Sequence, residues 1–406
     1  MIVRKIKKEE YLETSKVFNI AFNFKMDDSL SNEEIVRRFE ENPESRHALY
    51  YLEKWAAFTD DNKMVAYVSA LPFNIRFDGN SVLMSGIGGV STLPEYRGHG
   101  IMRKIMEALL KDEYKNDYAF SYLYPFSHAF YNKFGYNQGY ERIRWNLSLD
   151  SIKPSPIKYK AFMHEKDSHT EDIKKVYDEF IKDYNLSVIR EDIDYFRFRK
   201  SNPAVDQVYT YVFYDENNNP IGVVTIKRVM KNDKRVLSCS NLFFSNINGF
   251  KAILNHLLNY KNNYQSVEFI LPANLRLSHL IPEWSLYPAS RNLEIFGMVR
   301  VVNVEKVLKL AKYKGSGNLI IKINDSIIEE NNNTYAITFE NDHLSSITKT
   351  NEMPHVEMGI DAFSTLIVGI YDSDSVLSFN NVTIFKNTEN IKKVFYQKKC
   401  MLYEYF

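Results

Sequence analysis

The sequence predicts an α+β protein made of two successive copies of one strand, helix, strand pattern, followed by a third unit with a different pattern. Three observations predict this class. The 406 residues exceed the roughly 150 that one domain usually holds. Stretches of strand-like alternation and of helical spacing occur in the same order twice. That order is lost near residue 298, so we place the predicted domains at 1–150, 151–297 and 298–406.

The first unit has the pattern of a mixed sheet with helices on its faces. Apolar residues alternate from Ile2 to Ile6, as in a strand, and Tyr11, Val17, Phe18 and Phe22 then recur at near-helical spacing. The other predicted elements are strands over 64–77 and 82–90 joined by the hairpin signal Asp78-Gly79-Asn80, a helix over 101–110 and a strand over 118–124.

The second unit repeats this order after the linker 151–156, which contains Pro154 and Pro156. Its strand and helix are joined by the short segment 244–249, whereas the first unit has the longer loop 92–100 at that point. We interpret it as a duplicate that has lost this loop. Its predicted elements are a helix over 171–184, strands over 208–214, 221–228 and 236–244, a helix over 250–260 and a strand over 266–271.

The third unit has an α+β pattern and ends on an aromatic run, 401–406. Chain termini are usually exposed and poorly ordered, so this apolar end predicts a tail that is packed against the protein. The predicted elements are a helix over 304–310, strands over 319–323 and 334–339, a helix over 361–371, a segment over 376–385 that turns at Asn380-Asn381, and a helix over 391–399.

Composition excludes several classes of function. The 52 Lys and Arg residues against 51 Asp and Glu give a net charge of +1, too balanced for a protein that coats nucleic acid or an anionic membrane. Cys239 and Cys400 are too few for a disulfide framework and lack metal-ligand spacing, so we expect both to be buried and no metal site. Without a signal sequence or an apolar stretch of about 18 residues, we expect a cytoplasmic protein with no membrane span.

The stretch from Gly88 to Met102 lies between a predicted strand and a predicted helix. Backbone N–H groups in such a glycine-containing turn, together with the helix N-terminus, bind an anion such as pyrophosphate. The spacings typical of ATP and dinucleotide loops are absent, so neither ATP nor NAD is the favoured ligand. Arg97-Gly-His-Gly100 instead resembles the Arg-x-x-Gly-x-Gly/Ala acetyl-CoA loop of the GNAT acetyltransferase superfamily, with Met102 in place of the final small residue.

A second motif lies downstream, from Phe130 to Tyr136. The segment Phe-Tyr-Asn-Lys-Phe-Gly-Tyr is similar to the aromatic motif that follows a strand in GNAT enzymes. Acyl transfer from a thioester needs a proton donor for the departing thiolate, and a phenol with a pKa near 10 can supply it. Tyr131 is therefore the predicted general acid.

Together, the motifs and the three units make the whole chain resemble the Eis (enhanced intracellular survival) N-acetyltransferases. The resemblance implies tandem GNAT-fold domains, each a mixed central sheet with flanking helices, the second degenerate, and then a sterol-carrier-protein-like domain. It implies acetyl-CoA as cosubstrate and a homo-oligomer, commonly a hexamer. The cofactor positions that carry over are Val90, Ser91, Thr92, Arg97, Gly98, His99, Gly100, Ile101, Met102, Arg103, Phe126 and Ser127.

The same resemblance assigns the general base to the C-terminal carboxylate of Phe406. A free α-carboxyl has a pKa of about 3.3–3.7, low for a base at neutral pH, and burial would raise it, so we expect the tail to be buried. The implied acceptors are primary amines of aminoglycosides, polyamines or lysine side chains, acetylated by direct transfer, with backbone N–H groups near Val90 holding the oxyanion. Asp27, Asp28 and Glu404 are candidates to bind such cationic amines.

Two other functions remain open on the sequence. In the first, the third domain carries an apolar ligand and the GNAT unit only senses acyl-CoA. In the second, the chain is an aminoacyl-tRNA-dependent peptidoglycan transferase, a class that also uses paired GNAT-like domains. The intact loop from Arg97 to Gly100 favours acetyl-CoA over the second of these.

Overall fold

The structure, a computed structural model, describes residues 1–26, 29–275, 277–281, 286–386 and 388–406. Its contacts divide the chain into two compact units, one of residues 1–140, 184–189 and 296–406, the other of residues 141–183 and 190–295. The elements up to residue 148 are β1 (Ile2–Lys5), α1 (Tyr11–Phe22), α2 (Asn32–Glu41), α3 (Arg46–Leu49), β2 (Lys54–Phe58), β3 (Met64–Phe77), β4 (Asn80–Thr92), α4 (Ile101–Lys115), β5 (Phe120–Leu123), α5 (His128–Asn132) and β6 (Asn137–Ser148).

The remaining elements continue in chain order through the second half of the sequence. They are β7 (Lys160–His164), α6 (Thr170–Ile181), α7 (Phe196–Arg199), α8 (Pro203–Asp206), β8 (Val208–Tyr214), β9 (Pro220–Lys231), β10 (Lys234–Phe244), α9 (Ile247–Leu257), β11 (Ser266–Pro272), β12 (Ala289–Val301), α10 (Val304–Leu310), β13 (Gly317–Asn324), β14 (Thr334–Glu340), β15 (His343–Thr350), β16 (Val356–Gly359), α11 (Ile360–Val368), β17 (Val382–Ile384) and α12 (Thr388–Val394).

The first unit contains a mixed sheet. Strands β1, β2, β3 and β4 pair antiparallel in sequence order, β5 is parallel to β4, and residues 298–301 of β12 pair antiparallel with β5. Helix α4 packs on one face of this sheet through Ile105 and Leu109, and α1 packs on the opposite face through Val17. The predicted hairpin turn is present, since Asp78 and Gly79 have φ angles of +49° and +89°, which suit a tight two-residue connection.

The second unit repeats this topology, in agreement with the predicted duplication. Strands β7 to β10 pair antiparallel, β11 is parallel to β10, and residues 142–148 of β6 pair antiparallel with β11. Helix α9 connects β10 to β11, as α4 connects β4 to β5. The α+β class is therefore confirmed, whereas the domain boundaries at 150 and 297 stay a prediction.

The C-terminal part of the first unit contains a separate sheet in the order β15, β14, β13, β16, β17. The helix predicted over 361–371 ends at Val368, because Gly369 follows with a left-handed φ of +86°. Within the segment predicted over 376–385, a 3₁₀ turn over 373–378 is followed by the short strand β17. The last predicted helix is shorter than expected and ends at Val394.

A buried ion pair supports the loop that follows α5. Arg300 and Asp325 are both fully buried and joined at 2.7 Å, and Arg300 also donates a 2.7 Å hydrogen bond to the carbonyl of Phe134. A Cβ at Gly135, which has a φ of +79°, would lie 1.8 Å from the Arg300 guanidinium. Glycine is therefore required at this position of the aromatic motif.

Helix α4 also buries one carboxyl group against the sheet. Glu113 is 4 % exposed and lies near the hydroxyls of Ser85 and Ser121. Burial raises the pKa of Glu113 from 4.5 to about 8, so this carboxyl group is mainly neutral at pH 7 in the folded protein.

Replacing Glu113 with Gln should remove a pH dependence of stability. Between pH 4.5 and about 8, the folded chain holds a proton on Glu113 that the unfolded chain releases, so stability falls as pH rises through this window. We expect the melting temperature of Glu113→Gln, relative to the wild type, to be higher at pH 8 than at pH 5. Glu107→Gln, on the same helix and about one-third exposed, serves as the control. A Glu113→Gln difference that is constant from pH 5 to pH 8 would contradict this assignment.

Candidate active site

The C-terminal carboxyl group lies directly against the backbone of β4. A Cβ placed on Gly88 would lie 2.7 Å from the terminal carbonyl carbon of Phe406 and 2.8 Å from its oxygen. A Cβ on Gly86 would lie 2.6 Å from the Phe406 ring. These two glycines therefore make the space in which the last residue lies.

The tail that leads to Phe406 is held by hydrogen bonds and burial. The Asn185 N–H donates to the Lys399 carbonyl at 2.8 Å, and the Met401 N–H donates to the Asn185 carbonyl at 3.0 Å. Met401 and Leu402 are 2 % and 0 % exposed. The tail packs against the protein as predicted, but its last residues are not fully buried, since Tyr405 is 68 % exposed and Phe406 is partly buried.

Aromatic side chains surround the terminal ring. The centroid of the Phe406 ring lies 5.4 Å from that of Phe73, 5.0 Å from that of Tyr124 and 6.2 Å from that of Tyr122. The Tyr124 hydroxyl also donates a hydrogen bond to the carbonyl of Glu404. Strands β3 and β5 therefore position the end of the chain.

Gly88→Ala tests this contact, because the added methyl group must displace the carboxyl group. If the Phe406 carboxyl group is the base that the resemblance implies, its displacement by a fraction of an ångström should lower kcat roughly tenfold or more. The measurement is the rate of CoA release with a saturating amine, and the control is the same substitution in a chain that lacks Phe406. If Gly88→Ala lowers the rate by the same factor in the chain that lacks Phe406, then Gly88 and Phe406 are not coupled, and the assignment of Phe406 to the site is wrong.

Strand β4 extends past its parallel neighbour. The pairing of β4 with β5 runs from Met84 to Ile87, opposite Phe120 to Leu123 where β5 ends. Residues 88–92 of β4 therefore continue beyond β5 toward the glycine loop. This leaves a strand edge beside the Phe406 carboxyl group.

A cavity of about 700 Å³ continues from this edge over the glycine loop. Ten of the twelve predicted cofactor residues line it, and the two others, His99 and Ser127, do not. His99 is exposed, and the Ser127 hydroxyl instead caps α5 by accepting a 3.3 Å hydrogen bond from the Phe130 N–H. The complete lining is Ala21, Phe22, Val90, Ser91, Thr92, Tyr96, Arg97, Gly98, Gly100, Ile101, Met102, Arg103, Phe126, Phe130, Lys133 and Phe134.

The glycine loop has the backbone geometry of an anion site. Gly98 and Gly100 have φ angles of +82° and +72°, and a Cβ built on either glycine has no atom of a described residue within 4 Å. Gly100 is also the N-cap of the 15-residue helix α4, whose first N–H groups carry partial positive charge. The loop is thus open above its backbone, as an approaching pyrophosphate requires.

Three cationic side chains line the same cavity. Arg97 is held by hydrogen bonds to the carbonyls of Thr92, at 3.2 Å, and Ala21, at 3.5 Å. Arg103 stacks over the Phe134 ring at 5.8 Å. Lys133 was not predicted from the sequence as a cavity residue, although it lies within the aromatic motif. Phosphate groups are the natural ligands of such a set of cations.

Tyr131 lies beside this cavity and is itself 2 % exposed. Its ring packs edge-to-face against Phe126 and Phe130, both cavity residues, at centroid distances of 5.4 and 5.0 Å. Burial raises the pKa of its phenol above the ordinary value of 10, so the hydroxyl keeps its proton at neutral pH. No described residue forms a hydrogen bond with this hydroxyl, which leaves it available to a substrate.

Glu404 and the two cysteines do not line this cavity. Asp27 and Asp28 lie outside the described residues. Glu404 is partly buried, two residues before the end of the chain. Cys239 and Cys400 are both buried, which raises the pKa of the Cys400 thiol to about 12 and makes it a poor nucleophile.

Within the described ranges, no group of three or more His, Cys, Asp or Glu residues has the arrangement of a metal site. None of the helices that the structure describes combines the length and apolar character needed to cross a bilayer.

Comparisons with known proteins agree with this architecture. Residues 2–139 match the family model of the acetyltransferase (GNAT) domain, and residues 304–402 match that of the sterol carrier protein domain. A comparison with curated proteins finds no match.

Several solved structures are similar over the full chain. One is a conserved protein of unknown function from Enterococcus faecalis V583, a probable N-acyltransferase (TM-score 0.84, 22% identity, 100% of this chain and 99% of that one). A GCN5-related N-acetyltransferase from Anabaena variabilis has a TM-score of 0.84 at 18% identity, with 100% of both chains covered. Eis1 from Mycobacterium abscessus has a TM-score of 0.80 at 15% identity, again with 100% of both chains covered.

At these identities the solved structures show a shared fold, and the domain model supplies the class of chemistry. The predicted resemblance is confirmed: this chain is an acyltransferase with a GNAT domain in residues 2–139 and a sterol carrier protein domain in residues 304–402, and it has the whole-chain fold of an Eis-like protein.

Proposed function

We propose that this protein is an acetyl-CoA-dependent N-acetyltransferase of Eis type, which transfers acetyl directly to a primary amine. The observation that carries the proposal is the position of the Phe406 carboxyl group, which lies against Gly88 where β4 runs past β5 toward the glycine loop. A carboxylate at this point is next to the path that a thioester would take between the two strands.

The cavity residues fit acetyl-CoA as the cosubstrate. The open backbone at Gly98 and Gly100, with Arg97, Arg103 and Lys133 around it, suits a pyrophosphate and an additional phosphate. GNAT acetyltransferases generally use acetyl-CoA, which supplies an activated acetyl group as a thioester. The exposed edge of β4 offers backbone N–H groups to its amide-containing arm.

In this proposal Phe406 and Tyr131 move the protons. The Phe406 carboxylate, which lies against Gly88 while its side-chain ring packs against Phe73 and Tyr124, attracts the ammonium form of the acceptor and then takes a proton, directly or through water, so that a neutral amine can attack. Tyr131 has an unshared hydroxyl that stays protonated, and it donates to the sulfur of the departing CoA. The chain forms no covalent intermediate, since the transfer is direct.

The deciding experiment is CoA release from acetyl-CoA by the purified full chain with a panel of amines. The panel contains aminoglycosides, polyamines and lysine peptides, which are the acceptors that the Eis resemblance implies. Amine-dependent CoA release, with the acetylated product identified by mass spectrometry, supports the proposal. Tight acyl-CoA or lipid binding without release on any amine would instead support a carrier, and transfer from aminoacyl-tRNA would support a peptidoglycan transferase.

A further inference from the structure

A row of three residues crosses the sheet on the face that holds the terminal carboxyl group. Lys54 on β2 is directly opposite Ser69 on β3, and Ser69 is directly opposite Gly88 on β4. Directly opposed residues on adjacent strands project from the same face of a sheet. The Gly88 position faces the carboxyl group of Phe406. Lys54 and Ser69 therefore share a face with the proposed base.

Lys54 is a buried cation without a counterion. Its side chain is 5 % exposed, and its ammonium group has no hydrogen bond or ion pair with any described residue. The ammonium group lies over the Tyr11 ring, 5.3 Å from its centroid, which is a cation–π contact, and the neighbouring Glu53 carboxylate is bonded to Lys5 at 2.9 Å. Burial lowers the pKa of Lys54 to about 8, so most of this group is still charged at pH 7.

Ser69 provides a second unpaired group in the same row. Its hydroxyl oxygen is enclosed and has no hydrogen-bond partner within the part of the chain that the structure describes. Unpaired buried polar groups are costly and uncommon in folded proteins, and at a reaction centre they indicate groups that a ligand satisfies. An ammonium group and a hydroxyl group in adjacent positions both donate hydrogen bonds, so their natural ligand is an anionic oxygen.

We propose that the acceptor amine also carries a carboxylate, which binds Lys54 and Ser69 while the amine meets the Phe406 carboxylate. This inference rests on the proposed function. Two strand spacings of about 4.8 Å separate Lys54 from Gly88, so the amine and the carboxylate belong to one extended small molecule.

The test compares ω-amino acids of increasing chain length with n-alkylamines of the same length, measured as kcat/KM for CoA release. In the wild type, the best ω-amino acid should exceed its matched alkylamine about tenfold or more, the value of one charged hydrogen-bonded contact. Lys54→Met, which keeps the length of the side chain and removes the charge, should abolish this preference and leave the alkylamine rate intact or higher. Ser69→Ala should reduce the preference in part.

The control is Lys111→Met, since Lys111 is an exposed residue of α4, which packs on the opposite face of the sheet. This substitution should leave the preference unchanged. Equal rates for the two series, with CoA released in both, overturn the inference and leave the proposed function standing. The absence of CoA release with every amine overturns the proposed function and, with it, the inference.

Discussion

Addition of a single glycine after Phe406 should lower kcat by about two orders of magnitude or more, the range of general base catalysis. The extension converts the terminal carboxylate into an amide, which cannot take a proton from the acceptor. It also needs room beside Gly88, where even a Cβ would lie 2.7 Å from the terminal carbonyl carbon. The measurement is steady-state CoA release, with the melting temperature recorded for each variant.

Two further variants separate chemistry from folding. The matched extension is a glycine added before Met1, which is an exposed residue. This extension should leave kcat unchanged. Deletion of Phe406 should lower kcat as the extension does, and N-acetylphenylalanine, which restores both ring and carboxylate, should recover part of the loss. Full activity of the C-terminally extended protein would remove Phe406 from the mechanism.

Tyr131→Phe should lower kcat about a hundredfold or more with little change in KM for acetyl-CoA. The phenol is the proposed proton donor to the departing thiolate, and a general acid commonly raises the rate of such a reaction by about 10²–10⁴-fold. Because burial raises the pKa of Tyr131, the wild type should show no loss of kcat from its ionisation up to pH 10. The values of kcat and of KM for acetyl-CoA come from CoA release measured across a series of pH values.

Tyr136→Phe is the matched control. The two rings are 6.3 Å apart, but the Tyr136 hydroxyl is already bonded to the Ser121 hydroxyl at 2.7 Å. Its loss should lower the melting temperature and leave kcat nearly unchanged. Equal effects of the two substitutions on kcat would mean that Tyr131 is only a packing residue.

Local patterns in the sequence were enough to predict much of the first unit and its cofactor loop. The turn at Asp78 and Gly79 needs left-handed backbone angles, and these residue types adopt them readily. Gly98 and Gly100 likewise have positive φ angles in the loop that the motif identified. These features depend on residues that are close in sequence, so their types and spacing are informative.

Other parts of the site depend on residues far apart in the chain. The segment 184–189, predicted as part of the second domain, lies in the first unit, where Asn185 pairs with Cys400 and Val188 with Ile75. Phe22 belongs to no motif, and the aromatic motif that contains Lys133 did not identify it as a cavity residue, yet both residues line the cavity. No local pattern distinguishes these residues from others of the same type on a surface.

The sequence by itself determined the α+β class, the glycine loop and the aromatic motif, because each follows from short-range backbone preferences and periodicity, whereas β2, which carries Lys54, was not predicted. Only the tertiary structure decided that Phe406 lies against Gly88 and that Lys54 and Ser69 share the face of that contact. Strand register and long-range packing bring these residues together. Both arise from the burial of whole faces rather than from any one segment.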